Sequence, residues 1–550
     1  MVKIPAPPLT PAGQASTKSA YGFTGGEVGR SMRSRARATP VTASDPRPRT
    51  SPGLPWRLAR AASVLAIAVV PHVVVQRATP GLVDADGYYH IRYAELLRHA
   101  LPHLRFPFPW LPETILDPAE FTDHHLLFHL ALVPFTFGDL VIGAKAAAIV
   151  FAAAATLCWF LVARAERVAA PVLWLLGLVG SSPGFLYRLA MPRRQSLTLA
   201  VMLVTVHCVL ARRPAALVAL GFAFAWLYDG WPLLLLLAGI ALAARAVEDG
   251  RLEPRLALAT PLGLVLGSVI HPDFPRNVVF GLRHVLPKLG LAPAIEGTVG
   301  NEWYPYSGTA LVATADIALA LPLLGLCLAL AAGRGRRSDA RLLAWGGCTA
   351  VYVVLVLVSR RFLEHEPAFA TLFAAAAWTA FVATPRGARL VERLAAGLRP
   401  AWLPAAAVLL VVAGATVRTA GALAARAVPP TLFADAAGWL AQNAPARERV
   451  FNTDWDAFPL LFYRDRAHAY VVGLDPTYLS QHDAELYRRW YAIGMGLVER
   501  PGAEIQERFG ARWVFATRAR RTFIERAATD PRLRAVFRDD EAVVFEVLPP

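Results

Sequence analysis

Roughly eleven stretches of this chain are apolar and near the length of about 20 residues at which an α-helix crosses a bilayer. They fall at 60–76, 141–162, 171–186, 195–211, 214–229, 231–247, 256–270, 309–333, 340–359, 367–384 and 401–419. Backbone polar groups in hydrocarbon must be satisfied within the segment itself, so such stretches can only be helices. A multi-pass α-helical membrane protein is therefore expected. The composition agrees: 55% of the 550 residues are hydrophobic, 17% are charged and the mean hydropathy is +0.42, too apolar for an ordinary soluble domain.

Charge sets the orientation. The net charge of +16 does not point to nucleic acid, because Lys and Arg gather in the N-terminal tail and in short loops at 164–167, 212–213, 251–255, 334–341 and 386–399. These loops all fall on one side, which the positive-inside pattern makes cytoplasmic. An odd number of spans then leaves the loops 77–140 and 271–308, and everything after 420, on the periplasmic face of a bacterial inner (plasma) membrane. The stretch 126–138 would break the alternation, and with His129 and Pro134 it reads as a juxtamembrane or re-entrant helix.

Residues 1–58 are rich in Pro, Ser, Thr, Gly and Arg and have no apolar periodicity, so a disordered basic cytoplasmic tail is expected. The first apolar run begins too late for a cleavable signal. The region 59–420 is the transmembrane domain. After 421 the hydropathy falls and patterns alternate: a helix near 431–443, strands at 448–452 and 468–473, helices within 482–509, and strands at 512–516 and 541–547. The expected result is a small α/β domain over 421–550. Cys158, Cys208, Cys327 and Cys348 lie singly in apolar runs, without the paired spacing of thiolate metal sites.

Polar chemistry is confined to the external loops. The first opens with Asp84-Ala85-Asp86-Gly87-Tyr88-Tyr89-His90, placing two carboxylates at the membrane surface, where one can accept a proton or anchor a divalent ion against a phosphate. It continues through aromatic residues to Asp123-His124-His125; Asp123 and one of the two histidines suit a divalent metal. The second large loop carries Glu302 within Gly300-Asn301-Glu302-Trp303-Tyr304. Arg360-Arg361, at the mouth of a later span, can clamp a phosphate or pyrophosphate. Asp229 sits between aromatics in Trp226-Leu227-Tyr228-Asp229-Gly230-Trp231, as suits a sugar or a membrane interface.

In this order the motifs resemble the GT-C class of membrane glycosyltransferases, most closely the catalytic subunit of oligosaccharyltransferases, over most of 60–480. In that family an Asp-Gly-Tyr-like motif after the first span holds the metal and engages the acceptor. Asp86 is similar to that Asp, with Asp84 beside it and Tyr88 and Tyr89 following. Thr298 to Glu302 resembles the family's Thr-Ile-x-Glu-like motif with one extra residue, and Arg361-Phe362 its basic element. Trp455-Asp456, after the first strand of the soluble domain, resembles part of the acceptor-reading Trp-Trp-Asp-Tyr-Gly motif.

The resemblance implies catalytic roles for Asp86, Asp84 and Glu302 and substrate contacts from Arg361, Arg360, Tyr88, Tyr89, Trp455 and Asp456. It also implies a divalent metal, Mg or Mn, at Asp86, Asp123, His124 and Glu302. Where the family has a second acidic motif, this chain has Arg188-Leu189-Ala190-Met191-Pro192-Arg193-Arg194-Gln195, so metal binding would need Asp123 or His124 as substitutes. The implied partners are membrane lipids, a polyprenyl-phosphate-linked sugar donor and a glycan, lipid or protein acceptor. A transporter or flippase would instead place its ionisable residues near the bilayer midplane, and a membrane sensor would use the C-terminal domain to bind a ligand.

Overall fold

The structure is a computed structural model that describes residues 54–289, 291, 300–333, 339–397 and 402–549. The expected tail lies outside these residues except for 54–58, which form the first turn of the helix Leu54–Gln76. Pro55 explains the early start: in a first turn its missing N–H has no partner to lose.

Among the described residues six helices are long and apolar enough to cross a membrane, and eight if two bent pairs each count as one span. The expected eleven is not reached by this measure. The difference lies in Gln195–Leu210, Pro214–Leu227 and Pro254–Ile270, with 16, 14 and 17 residues. At the α-helical rise they reach only about 21–26 Å, short of a bilayer core of about 30 Å. The first packs into the bundle core through Leu199, Met202, Leu203 and Val206.

The expected span 171–186 is one of the bent pairs. Pro171–Ser181 and Pro183–Leu189 meet at 87°. Ser182 is extended at φ −153°, as the residue before a proline prefers, and its Oγ accepts from Phe185 N at 3.0 Å to cap the second helix. The chain therefore turns across the bundle here and carries Arg188 to Arg194 inward. The stretch expected to be re-entrant is a short helix, Leu126–Leu132, ending in the 3-10 turn Val133–Phe135.

Described parts of the basic loops meet at one end of the bundle. His207 Nδ1 lies 2.6 Å from Glu166 Oε1, Arg341 Nε lies 3.1 Å from Glu166 Oε2, and Ala340 N donates to Glu248. At the other end the chain after Arg426 builds a five-stranded sheet in the order β2-β1-β3-β5-β4. Its strands are β1 Arg449–Asn452, β2 Ala469–Tyr470, β3 Trp513–Thr517, β4 Leu533–Arg538 and β5 Ala542–Val547. β1 runs parallel to β2 and β3, and β5 is antiparallel to β3 and β4. β2 is shorter than its apolar run, and β4 was not expected. As an edge strand β4 carries Arg534 and Arg538 on a largely exposed surface, which hides its pattern.

This sheet domain shares a core with the first loop. Tyr89 and Phe108 pack against Phe462, Trp110 stands edge-on to Phe462 at 5.0 Å, and Tyr88 Oη donates to Val428 O at 2.7 Å. Backbone bonds from Tyr470 N to Trp110 O at 2.8 Å and from Ile115 N to Tyr478 O at 3.2 Å complete the join.

Candidate functional site

The helix Asp86–Ala100 opens on its two carboxylates, and they part at its first turn. Asp84 Oδ1 accepts from Gly87 N at 3.2 Å and so closes that turn. Asp86, one helical turn before His90, faces a cavity of about 340 Å³ together with Tyr89 and His90. The loop at 188–194, Asp229, His284, Lys288, the segment 300–303, Arg361, and residues 455–456 and 474–478 of the sheet domain complete the wall. The membrane bundle and the sheet domain thus enclose the cavity jointly.

Glu302 is the electrostatic centre. Its Oε2 accepts from Arg188 Nη1 at 2.9 Å and lies 3.4 Å from Arg193 Nη1, while Oε1 lies 3.3 Å from Arg361 Nη1. The backbone is pinned by Ser359 Oγ donating to Glu302 O at 2.8 Å and by Arg360 N donating to Tyr304 O at 3.1 Å. Burial would raise the Glu302 carboxyl, but Arg361, Arg188 and Arg193 overcome it and hold the group well below its usual range. Arg188 is shared with Glu364, to which its Nε donates at 3.0 Å.

Arg193 joins this centre to the first loop. Its Nε lies against Asp84 Oδ2, and its Nη2 lies 2.8 Å from Asp86 Oδ2. Burial, reinforced by Asp84 and Glu302, pushes Asp86 up to about 6 despite the pull of Arg193. That value suits a general base working near neutral pH.

The other residues singled out in the sequence divide into two groups. Tyr89, His124, Arg361, Trp455 and Asp456 line the cavity. Tyr88 does not; it is fully buried and its hydroxyl ties the first loop to Val428. Arg360 points elsewhere, with Nε donating to Pro305 O at 3.1 Å and its guanidinium over Tyr306. Asp84 sits behind Asp86. Asp123 is buried beside His129, whose Nδ1 is 2.8 Å from Asp123 Oδ2, and Thr298 lies outside the described residues.

The four residues expected to hold a metal therefore do not gather at one point. Asp86 and Glu302 share Arg193, while Asp123 turns to His129 and His124 stacks on Phe280 with ring centroids 4.5 Å apart. Among the described residues no group of three or more His, Cys, Asp or Glu is placed to hold a metal ion. The three carboxylates that do converge, Asp84, Asp86 and Glu302, already have a guanidinium between them. Among the described residues this arrangement does not fit a divalent ion, because the cation that the three carboxylates would share is already the Arg193 guanidinium.

Asp229, which the sequence marks as suited to a sugar, also lines the cavity, whereas Arg188, Arg193, Arg194, His284, Lys288 and Tyr478 line it without having been singled out as site residues. One signal was available. Arg188 and Arg193-Arg194 stand where the resemblance led one to expect acids, and paired arginines between apolar helices suit an anion.

A second, apolar cavity of about 480 Å³ adjoins the first at His124 and Asp229. It runs along Pro254–Ile270 beside Leu235, Leu264, Val265 and Val269. The exposed Leu258, Leu262, Val265 and Ile270 continue its apolar surface outward.

No protein-family model matches the chain, and no curated protein matches it in sequence. Solved structures do match. The archaeal oligosaccharyltransferase AglB from Archaeoglobus fulgidus, in complex with an inhibitory peptide and a dolichol-phosphate, superposes with a TM-score of 0.56 at 15% identity, over 86% of this chain and 71% of that one. ArnT from Cupriavidus metallidurans, bound to undecaprenyl phosphate, gives 0.53 at 17% identity over 89% and 98%. The arabinofuranosyltransferase AftD from Mycobacteria gives 0.50 at 13% identity over 88% of this chain and 41% of that one. The fold is that of the GT-C glycosyltransferases, as the resemblance in sequence implied.

Proposed function

We propose that this chain is a membrane glycosyltransferase that moves a sugar or oligosaccharide from a polyprenyl-phosphate-linked donor to a glycan, lipid or protein acceptor. One observation carries the reading: a cavity lined by Arg188, Arg193, Arg194 and Arg361 opens beside an apolar cavity on the flank of the helix bundle. A polyprenyl phosphate has these two parts, a charged head and an apolar tail, joined in the same way. AglB and ArnT, which share the fold, were solved with dolichol-phosphate and undecaprenyl phosphate.

In this reading the tail lies along Leu264, Val265 and Val269, and Arg361 and Arg194 meet the phosphate. Arg361 is stiffened for the task by stacking over Trp303 at 4.7 Å and Arg194 by Tyr228 at 4.3 Å. The acceptor enters between the first loop and the sheet domain, past Trp455 and Asp456. Asp86 takes the acceptor's proton, and the arginines offset the charge growing on the departing lipid phosphate.

The test is transfer of radiolabelled sugar from extracted polyprenyl-linked donors by the purified protein, with donor binding measured on Arg361→Ala. A hydrogen bond to a charged group is worth about 1.5–3 kcal/mol, so donor affinity should fall at least about tenfold. Unchanged affinity would remove Arg361 from the phosphate site, and absence of transfer from every polyprenyl-linked donor would remove the function.

The positions of the basic loops support a topology with a cytoplasmic N-terminus and the sheet domain in the periplasm of a bacterial inner membrane. An alkaline phosphatase fused after residue 549 should be active in cells. An inactive fusion, with the protein otherwise inserted, would reverse the topology.

A further inference from the structure

We infer that Arg193 is the built-in cation of this site: its guanidinium holds the place between Asp84, Asp86 and Glu302 that a divalent ion would need, so that the reaction runs without added metal. The inference rests on the proposed transferase function for its catalytic meaning, and on the geometry alone for its binding consequence.

Each edge of the guanidinium is used. Nε meets Asp84, Nη2 meets Asp86 at 2.8 Å and Nη1 meets Glu302 at 3.4 Å. Arg193 is only 15% exposed, and its charge is permanent, because a guanidinium does not deprotonate in a protein. An ion seeking the same carboxylates would have to displace it and would then face Arg188 on the same oxygen of Glu302 and Arg361 on the other. Both functions usually given to a metal here can be met by the chain itself. Arg193 orients Asp86 and draws the acidic residues together, and the surrounding guanidiniums offset phosphate charge.

The bend at Ser182-Pro183 makes this possible. It sends Pro183–Leu189 across the bundle at 87° to the preceding helix, so the loop that follows delivers Arg193 to the first turn of Asp86–Ala100.

The experiment uses the full-length purified protein and manganese alone as the probe. In wild type, Mn²⁺ should show no stoichiometric binding by electron paramagnetic resonance, and transfer should persist in excess EDTA. Arg193→Ala leaves three carboxylates facing one another and should acquire an Mn²⁺ site, seen as stoichiometric binding and as a rise of its melting midpoint with Mn²⁺. Its transfer without metal should drop about 100-fold, the scale for losing one preorganised charge partner. Arg193→Lys keeps a cation there and should bind no Mn²⁺.

Stoichiometric Mn²⁺ on wild type that is lost in Asp86→Asn would overturn the inference, as would EDTA-sensitive transfer restored by Mn²⁺, which leaves the transferase reading intact. A folded Arg193→Ala that ignores Mn²⁺ also overturns it. Should Arg193→Ala fail to fold, the wild-type measurements decide. Should no transfer be found at all, the binding measurements decide, since they do not depend on turnover.

Discussion

Asp86→Asn is expected to lower transfer by roughly two orders of magnitude or more, the scale on which a general base acts. The substitution keeps the shape of the side chain and its contact with Arg193 but removes the charge that accepts the proton. Folding should survive, because Asp84 and Glu302 still hold Arg193. The pH profile gives an independent check. With Asp86 raised to about 6, the base is ionised above that pH and protonated below it. Wild-type kcat/KM should therefore hold above pH 6 and fall about tenfold per unit beneath it. The residual activity of Asp86→Asn should lack that limb. If Asp84→Asn abolished transfer while Asp86→Asn retained it, the base would be Asp84, and the geometry described for Asp86 would have no catalytic meaning.

Glu302→Gln should produce the largest loss of stability of any single change in the site. One carboxylate holds Arg188, Arg193 and Arg361 together. Without its charge three guanidiniums face one another in a space largely closed to water. Removing one partner of a buried ion pair costs about 3–5 kcal/mol; Glu302 is about a quarter exposed, so roughly 3 kcal/mol is expected. The melting midpoint of the purified variant should fall by several degrees. Added polyprenyl phosphate, an anion able to replace the lost charge, should restore more of the midpoint in Glu302→Gln than it adds to wild type. A midpoint equal to wild type would show that the three arginines do not depend on Glu302.

The apolar runs made the helical bundle legible because a membrane demands length and hydrophobicity, and both can be read residue by residue. The count was harder. Pro214–Leu227 and Pro254–Ile270 are apolar enough to cross yet short, and only packing decides how such helices sit. Within the site, Asp86 and Glu302 could be singled out because a carboxylate in an external aromatic loop is noticeable. Asp84 and Asp86, two positions apart, are separated in the sequence only by the resemblance to an Asp-Gly-Tyr motif; in the structure Asp84 accepts from Gly87 N while Asp86 faces the cavity. Arg193 was visible only as a missing acid. Its role depends on a bend of 87° ten residues upstream, and a local motif carries no such information. Tyr88 and Arg360 stay outside the cavity for a related reason: each adjoins a residue that lines it, and neighbours on a helix or turn point in different directions.

The aromatic core shared by the first loop and the sheet domain has a consequence for how the protein is made. Tyr89, Phe108 and Trp110 are finally covered by Phe458, Phe462 and Tyr470, which leave the ribosome more than three hundred residues later. During that interval all the intervening helices are made while the aromatic surface of the first loop waits for its cover. Contacts this distant in sequence form slowly, and exposed apolar surface invites wrong association in the meantime. A chain cut after Arg426 would keep every apolar helix long enough to span the bilayer and still leave this face bare. Such truncations should insert normally and then be degraded or aggregate, so biogenesis of the membrane part is completed only when the sheet domain arrives.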